Sequence, residues 1–190
     1  VVCANRGGAV FGDANSKMIF KRTTFEGNRA NADGSGGGGA IYVYEASVLQ
    51  LTDSTLISNT AKKGGAIHFA IETGNSFIKN CTFKSNTAND NDGSGGALYN
   101  SISINSGSLV ITDTKFEGNS AKSGGAVYLA KGTTTFNGGI TFLNNLAKSL
   151  QGSTNSNKAA IALFTTCTTG QKNTFYSADT NSIAATTVAV

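Results

Sequence analysis

Few side chains in this 190-residue chain are of a kind and spacing that could do chemistry, and each has a plain structural use beside the chemical one. Asp53 and Asp113 recur at one place in the chain's repeat, two repeats apart. Stacked strands lie about 4.8 Å apart, so the two carboxylates would be separated by roughly 9.6 Å, near the upper limit for an inverting glycosidase pair. Both also stand where a turn favours Asp or Asn, and neither has an apolar setting that would raise its pKa, so a carbohydrate-active enzyme is the weakest reading. His68 is the single histidine, which excludes a triad or a multi-histidine metal site within the chain. Asp90-Asn91-Asp92-Gly93 has the composition of a calcium loop, but with Gly93 at the sixth place the first is Ala88 and the twelfth Tyr99, which breaks the EF-hand pattern. The expectation is therefore no enzyme, no metal and no cofactor.

Recognition is the better candidate. Phe11, Tyr42, His68, Tyr99 and Tyr128 recur at one position of a repeated strand. Facing outward, their flat rings would be spaced about one layer apart, suited to stacking on sugars or to hosting a partner's side chains; the plainer use is a stabilising aromatic stack. Asn80-Cys81-Thr82 is the single N-glycosylation sequon, at an expected exposed corner, compatible with secretion in a eukaryote. Lys62, Lys122 and Lys148 follow the same repeated Ala, and read as a solvated edge rather than a polyanion-binding stripe. A net charge of +4 and pI of 9.0 come without a dense basic patch or motif, so nucleic acid is not expected as a partner.

What must position these residues is a sentence written five times. Phe-x-x-Asn-x-Ala occurs at Phe25/Asn28/Ala30, Phe83/Asn86/Ala88, Phe116/Asn119/Ala121 and Phe142/Asn145/Ala147, with Leu56/Asn59/Ala61 as the one departure. Gly-Gly-Ala alternates with it at residues 7–9, 38–40, 64–66, 95–97 and 124–126. A period of roughly 26 to 34 residues is the mark of a stacked repeat architecture. The segments before each Phe alternate apolar and polar at period two, as strands do, and lose phase near Arg22, Asp53, Asn80 and Asp113, which predicts a corner there. A second strand follows each Gly-Gly-Ala, with Val10, Ile41, Ile67, Leu98 and Val127 assigned inward and the aromatic row on the opposite face. With no helical segment to make a crossover, the expected fold is an all-β, right-handed parallel β-helix of about six coils, one per repeat. Asn28, Asn59, Asn86, Asn119 and Asn145 should then stack as a ladder, each amide bonded to its neighbour and to turn backbone.

The 24 glycines and absence of proline suit tight turns in a backbone whose amides are needed for pairing. Hydrophobic content of 39% is too high for disorder, and no apolar run approaches the roughly 20 residues that cross a bilayer. Residues 1–190 read as one β-helix segment of a longer chain: 1–147 well-matched repeats, 148–190 a degenerate last coil or cap in which Lys158-Ala159-Ala160 replaces Gly-Gly-Ala. Cys3, Cys81 and Cys167 fall in separate coils, too far apart to pair, and are expected as free, mostly buried thiols. Spacers between Asn and Gly-Gly alternate long and short. Drift accounts for this, an edge of protruding loops (Asn31 to Ser35, Asn89 to Ser94, Gln151 to Asn155) being the sharper alternative.

Phe-x-x-Asn-x-Ala followed by Gly-Gly-Ala-Ile resembles the repeat of the polymorphic outer membrane proteins of Chlamydiae, over residues 1 to about 147, with Leu56 and the last coil departing from it. The resemblance implies an autotransporter-passenger-like parallel β-helix displayed on a cell surface as an adhesin. The expected function is an extracellular or cell-surface structural or adhesive protein. Its partners would be a protein or glycan of a host or neighbouring cell, or copies of itself. The alternative is a subunit of an extracellular filament or appendage whose coils continue end to end.

Overall fold

The computed structural model describes residues 5–30, 36–70, 74–89, 93–102, 107–131 and 133–148, with the backbone of 161–163. Among these residues all regular structure is β-strand, and no helix is long and apolar enough to cross a membrane, which says nothing of a β-barrel. Short strands stack into four parallel sheets, each gaining one strand per turn. The first sheet collects Val10–Gly12, Ile41–Val43, Ile67–Phe69, Leu98–Ser101, Val127–Lys131 and Ile161–Leu163. The second collects Lys17–Lys21, Val48–Thr52, Ser76–Lys79, Ser108–Thr112 and Thr133–Asn137. Thr24–Glu26, Thr55–Ile57, Thr82–Lys84, Lys115–Glu117 and Thr141–Leu143 form the third, and Thr60–Ala61, Thr87–Ala88, Ser120–Ala121 and Leu146–Ala147 the fourth.

The architecture is an all-β parallel solenoid, but the expected count of about six coils is too high. Among the described residues, turns with a strand in all four sheets number four, beginning at Ile41, Ile67, Leu98 and Val127. Before Ile41, Arg29 reaches the fourth side only through an isolated bridge to Thr60; after Ala147, Ile161–Leu163 pairs back on Val127–Leu129. Apart from Lys148 and the backbone of 161–163, the expected degenerate coil lies outside the described residues, as do Cys3, Cys167 and loop residues 31–35, 90–92 and 151–155.

Corners explain the sequence's loss of phase. Arg22, Asp53, Asn80 and Asp113 adopt φ of 52°, 51°, 52° and 47°, a left-handed conformation for which Asp and Asn are the most tolerant non-glycine residues. A second left-handed corner follows the Phe strand at Gly27, Ser58, Ser85, Gly118 and Asn144. The Gly-Gly pair makes a third, with a different reason for each glycine. Gly64 has φ of 59°, and a Cβ there would strike the carbonyl of Ile67; a Cβ on Gly65 would come within 2.6 Å of Thr87 O and collide with Gly96 O in the next layer. The first glycine turns the chain and the second lets two turns approach.

Register keeps like on like. Phe25, Leu56, Phe83, Phe116 and Phe142 pair in sequence through the third sheet. Rings of Phe83, Phe116 and Phe142 stack at 4.9 and 5.0 Å, while beyond Leu56 the Phe25 ring meets Phe20 edge-on at 5.2 Å. Ile41, Ile67, Leu98 and Val127 are fully buried in the same core as Leu51, Ile78 and Ile111.

Beside the phenylalanines run the five asparagines, 31, 27, 33 and 26 residues apart. Asn86 is typical. Its Nδ2 donates to Asn119 Oδ1 at 3.0 Å and to Leu56 O at 2.9 Å, and its Oδ1 accepts from Asn59 N at 3.0 Å and Asn59 Nδ2 at 2.9 Å. Both donor protons and both acceptor sites of the amide are used. Asn28 opens the series and Asn145 ends it, donating to Phe116 O at 2.9 Å.

A second ladder lies one residue past the Arg22, Asp53, Asn80 and Asp113 corners. Thr23 N donates to Ser54 Oγ at 3.1 Å and Cys81 N to Thr114 Oγ1 at 3.5 Å. Ser54 Oγ, Cys81 Sγ and Thr114 Oγ1 each donate to the carbonyl two residues earlier, at 2.6, 3.2 and 2.8 Å. Cys81 is thus the thiol member of a hydroxyl series, free and buried, and burial pushes its pKa up to about 11. It is an inert thiol.

Candidate functional site

The interior uses the repeated residues for stacking, and the opposite side of the first-sheet strands carries the aromatic row. Val10–Gly12, Ile41–Val43, Ile67–Phe69 and Leu98–Ser101 pair in register there, which brings Phe11, Tyr42, His68, Tyr99 and Tyr128 into one line. Consecutive ring centroids are 5.6, 4.7, 4.8 and 5.2 Å apart. Tyr44 joins the line beside Phe11 and Tyr42, at 6.3 and 6.2 Å.

The rings do not present their faces outward, as the sugar-stacking expectation requires. Phe11 lies at 21° to Tyr42, and Tyr99 at 8° to Tyr128, so these faces are turned to each other along the stacking axis. His68 stands edge-on between Tyr42 and Tyr99, at 64° and 77°. Nor is the whole row exposed: Phe11 is 42% exposed, but Tyr42 and His68 only 5%. Side-chain alternation set which side of the strand the row occupies, while layer spacing forced the rings to cover one another.

A further line covers its flank. Arg6, Gly37, Lys63, Ser94 and Ser123, each immediately before a Gly-Gly pair, are joined by single parallel bridges. Arg6 Cζ sits 5.4 Å from the Tyr42 ring and 5.7 Å from Tyr44, and Lys63 Nζ sits 5.2 Å from Tyr99. Between the two cations, Gly37 leaves the space that His68 fills; a Cβ there would collide with the imidazole Nδ1. That Nδ1 is buried without a hydrogen-bond partner. Burial first, then Lys63 and Arg6, pushes the His68 pKa down to about 3, so the ring is neutral at physiological pH. Burial raises the phenol pKa of Tyr42, Tyr99 and Tyr128, with Arg6 acting in the opposite sense on Tyr42.

The carboxylates are each engaged by the following layer: Asp53 Oδ1 accepts from Asn80 Nδ2 at 2.8 Å, and Asp113 Oδ1 from Gly139 N at 2.9 Å, so each ties its corner to the next. Asn80 is exposed, with its amide engaged on Asp53. Among the described residues no group of three His, Cys, Asp or Glu is placed to hold a metal ion. Sequence reasoning missed Tyr44, Arg6, Gly37 and Lys63; the position before Gly-Gly was readable as a repeat column, but its mixed residue types gave no signal.

Stacked parallel strands, left-handed corners and an asparagine ladder define the class of protein: a repeat-built β-solenoid. The chain carries the Chlamydia polymorphic membrane protein repeat, whose family model matches residues 22–44, 80–101 and 113–130. A probable outer membrane protein, pmp20 of Chlamydia pneumoniae, is 34% identical over 146 residues, which are 69% of this chain and 8% of that protein. A metabotropic glutamate receptor-like protein R of Dictyostelium discoideum is 37% identical over 98 residues, 51% of this chain and 6% of that protein. The chain thus spans a small part of either relative's length. No solved structure matches it.

Proposed function

We propose that this chain is a non-enzymatic, surface-displayed β-solenoid segment with a structural and adhesive role, holding its first-sheet face toward a protein or glycan outside the cell. The observation that carries this is the division between the two sides of the strands. The residues that define the repeat are occupied in holding layer to layer, and the outer line, with its mixed rings and two cations, lies along the solenoid. Asp53 and Asp113, the carboxylates whose repeat spacing suggested a hydrolase pair, are engaged as corner braces. An extracellular or cell-surface location is supported by the relative named as an outer membrane protein. Saturable binding of the labelled chain to cultured cells, weakened in a Tyr99→Ala/Tyr128→Ala variant that keeps its melting temperature within a few degrees, is the expected result. Equal binding by parent and variant removes the first-sheet face from the account, and cleavage of a glycan by the purified chain removes the non-enzymatic role.

A further inference from the structure

The two cations on this face are placed with more regularity than a scattered basic charge requires. Arg6 and Lys63 occupy the same column of the repeat, linked through Gly37 by consecutive bridges, so they lie two layers apart, about 9.6 Å at the usual strand spacing. Each is held over an aromatic ring rather than waving in solvent, which lowers the entropy lost when it is engaged by a ligand. The charged residues acting on His68 are Lys63 and Arg6, so the local field is positive. Below them Tyr44, Tyr99 and Tyr128 are partly exposed, presenting ring edges because their faces are turned along the stack. The groups are spread along a line instead of converging on a point, a layout for an extended polymer and not for a small anion.

Resting on the adhesive reading above, we infer that this edge takes a sulfated polysaccharide lying along the stacking axis, its charged groups meeting Arg6 and Lys63 and its sugars resting against Tyr44, Tyr99 and Tyr128. A linear sulfated glycan repeats equivalent sulfates once per disaccharide, at intervals of the same order as the two-layer step, and sulfate stays ionised throughout the physiological range. Two cations two layers apart suit that repeat. Nucleic acid, with a phosphate at every nucleotide, calls for a denser basic surface.

The test has a built-in control on another side of the solenoid. Lys21 and Lys79 also share one column two layers apart, joined through Thr52, but stand exposed on the second sheet away from the aromatic line. The 190-residue chain, an Arg6→Ala/Lys63→Ala variant and a Lys21→Ala/Lys79→Ala variant would be run on immobilised heparin in a salt gradient, after circular dichroism shows the same fold for all three. The expected result is retention of the parent, at least tenfold weaker binding at fixed salt for the first variant, and little change for the second. Equal loss in both variants reduces the effect to net charge and overturns the inference. So does absence of retention, equal retention on desulfated heparin, or equal binding to phosphatidylserine vesicles or single-stranded DNA. Binding to cells without binding to heparin sinks this inference and leaves the adhesive role standing, whereas binding to neither sinks both.

Discussion

Asn119 and Tyr99 belong to one turn of the solenoid, and each stacks on its counterparts in the turns on either side. Asn119 is fully buried, donates to Phe83 O and Asn145 Oδ1, and accepts from Asn86 N and Nδ2. Tyr99 meets His68 edge-on and Tyr128 face-on, under Lys63. An amide carries as many donor protons as acceptor sites, so in a dry corner its best partner is a copy of itself, and the inner row is Asn in every layer. Ring contacts demand only a flat apolar body of about the right size, so the outer row admits Phe, Tyr and His. Identity is enforced where polar atoms are buried; variety survives where shape suffices, and it is the varied side that can be given a partner.

The steepest break of this contrast is expected inside. Gly65→Ala forces a Cβ against Thr87 and Gly96 backbone in the next layer, and should destabilise the chain by on the order of 4 kcal/mol or prevent folding, read by urea unfolding. Asn86→Ala comes next. It strands Asn59 N, one Asn59 Nδ2 proton and Leu56 O, for a cost of roughly 3 kcal/mol, which is about 10 °C in melting temperature for a chain of this size. An unchanged melting temperature would remove the ladder from the account.

Acid should find the outer row's weak place. His68 has a folded pKa of about 3 against about 6.5 unfolded, so below 6.5 the unfolded chain binds the extra proton. Its contribution is fully present above pH 6.5 and is lost as pH falls from there toward 3, at up to about 1.4 kcal/mol per unit. Urea midpoints at pH 7.5 and 5.0 should therefore diverge in the parent and converge in His68→Leu; the same pH slope in both would assign it to other groups. The smallest effect is expected at Cys81. Cys81→Ser retains a donor to Lys79 O and should stay within about 1 kcal/mol of the parent, with Cys81→Ala the costlier change.

Much of the inner structure was legible because it repeats residue types. Phe, Asn and Gly-Gly announced a stacked register, and the broken period-two pattern located corners at Arg22, Asp53, Asn80 and Asp113. The second ladder was hidden because Thr23, Ser54, Cys81 and Thr114 share a donor but not a residue type. The fit of His68 to Gly37 was hidden for another reason: it relates different columns in neighbouring layers, which no single repeat displays. Alternation along a strand tells which side a ring is on, not the angle it takes, so the facing of the aromatic row had to come from the structure. The count of complete turns depended on which end segments pair as strands in all four sheets, as Leu146–Ala147 does and Arg29 does not, a matter of pairing and not of motif.

Adjacent layers are locked through asparagine amides that bond to one another. A double-mutant cycle on Asn86→Ala and Asn119→Ala tests it most directly, with Asn28→Ala and Asn119→Ala, which share no partner, as the distant pair. Because Asn119 Oδ1 accepts from both the backbone N and the Nδ2 of Asn86, removing the second side chain should cost less than removing the first, giving a coupling of about 1 to 2 kcal/mol, while the distant pair adds. Additive costs at the adjacent pair would contradict the ladder as the element that holds the turns together.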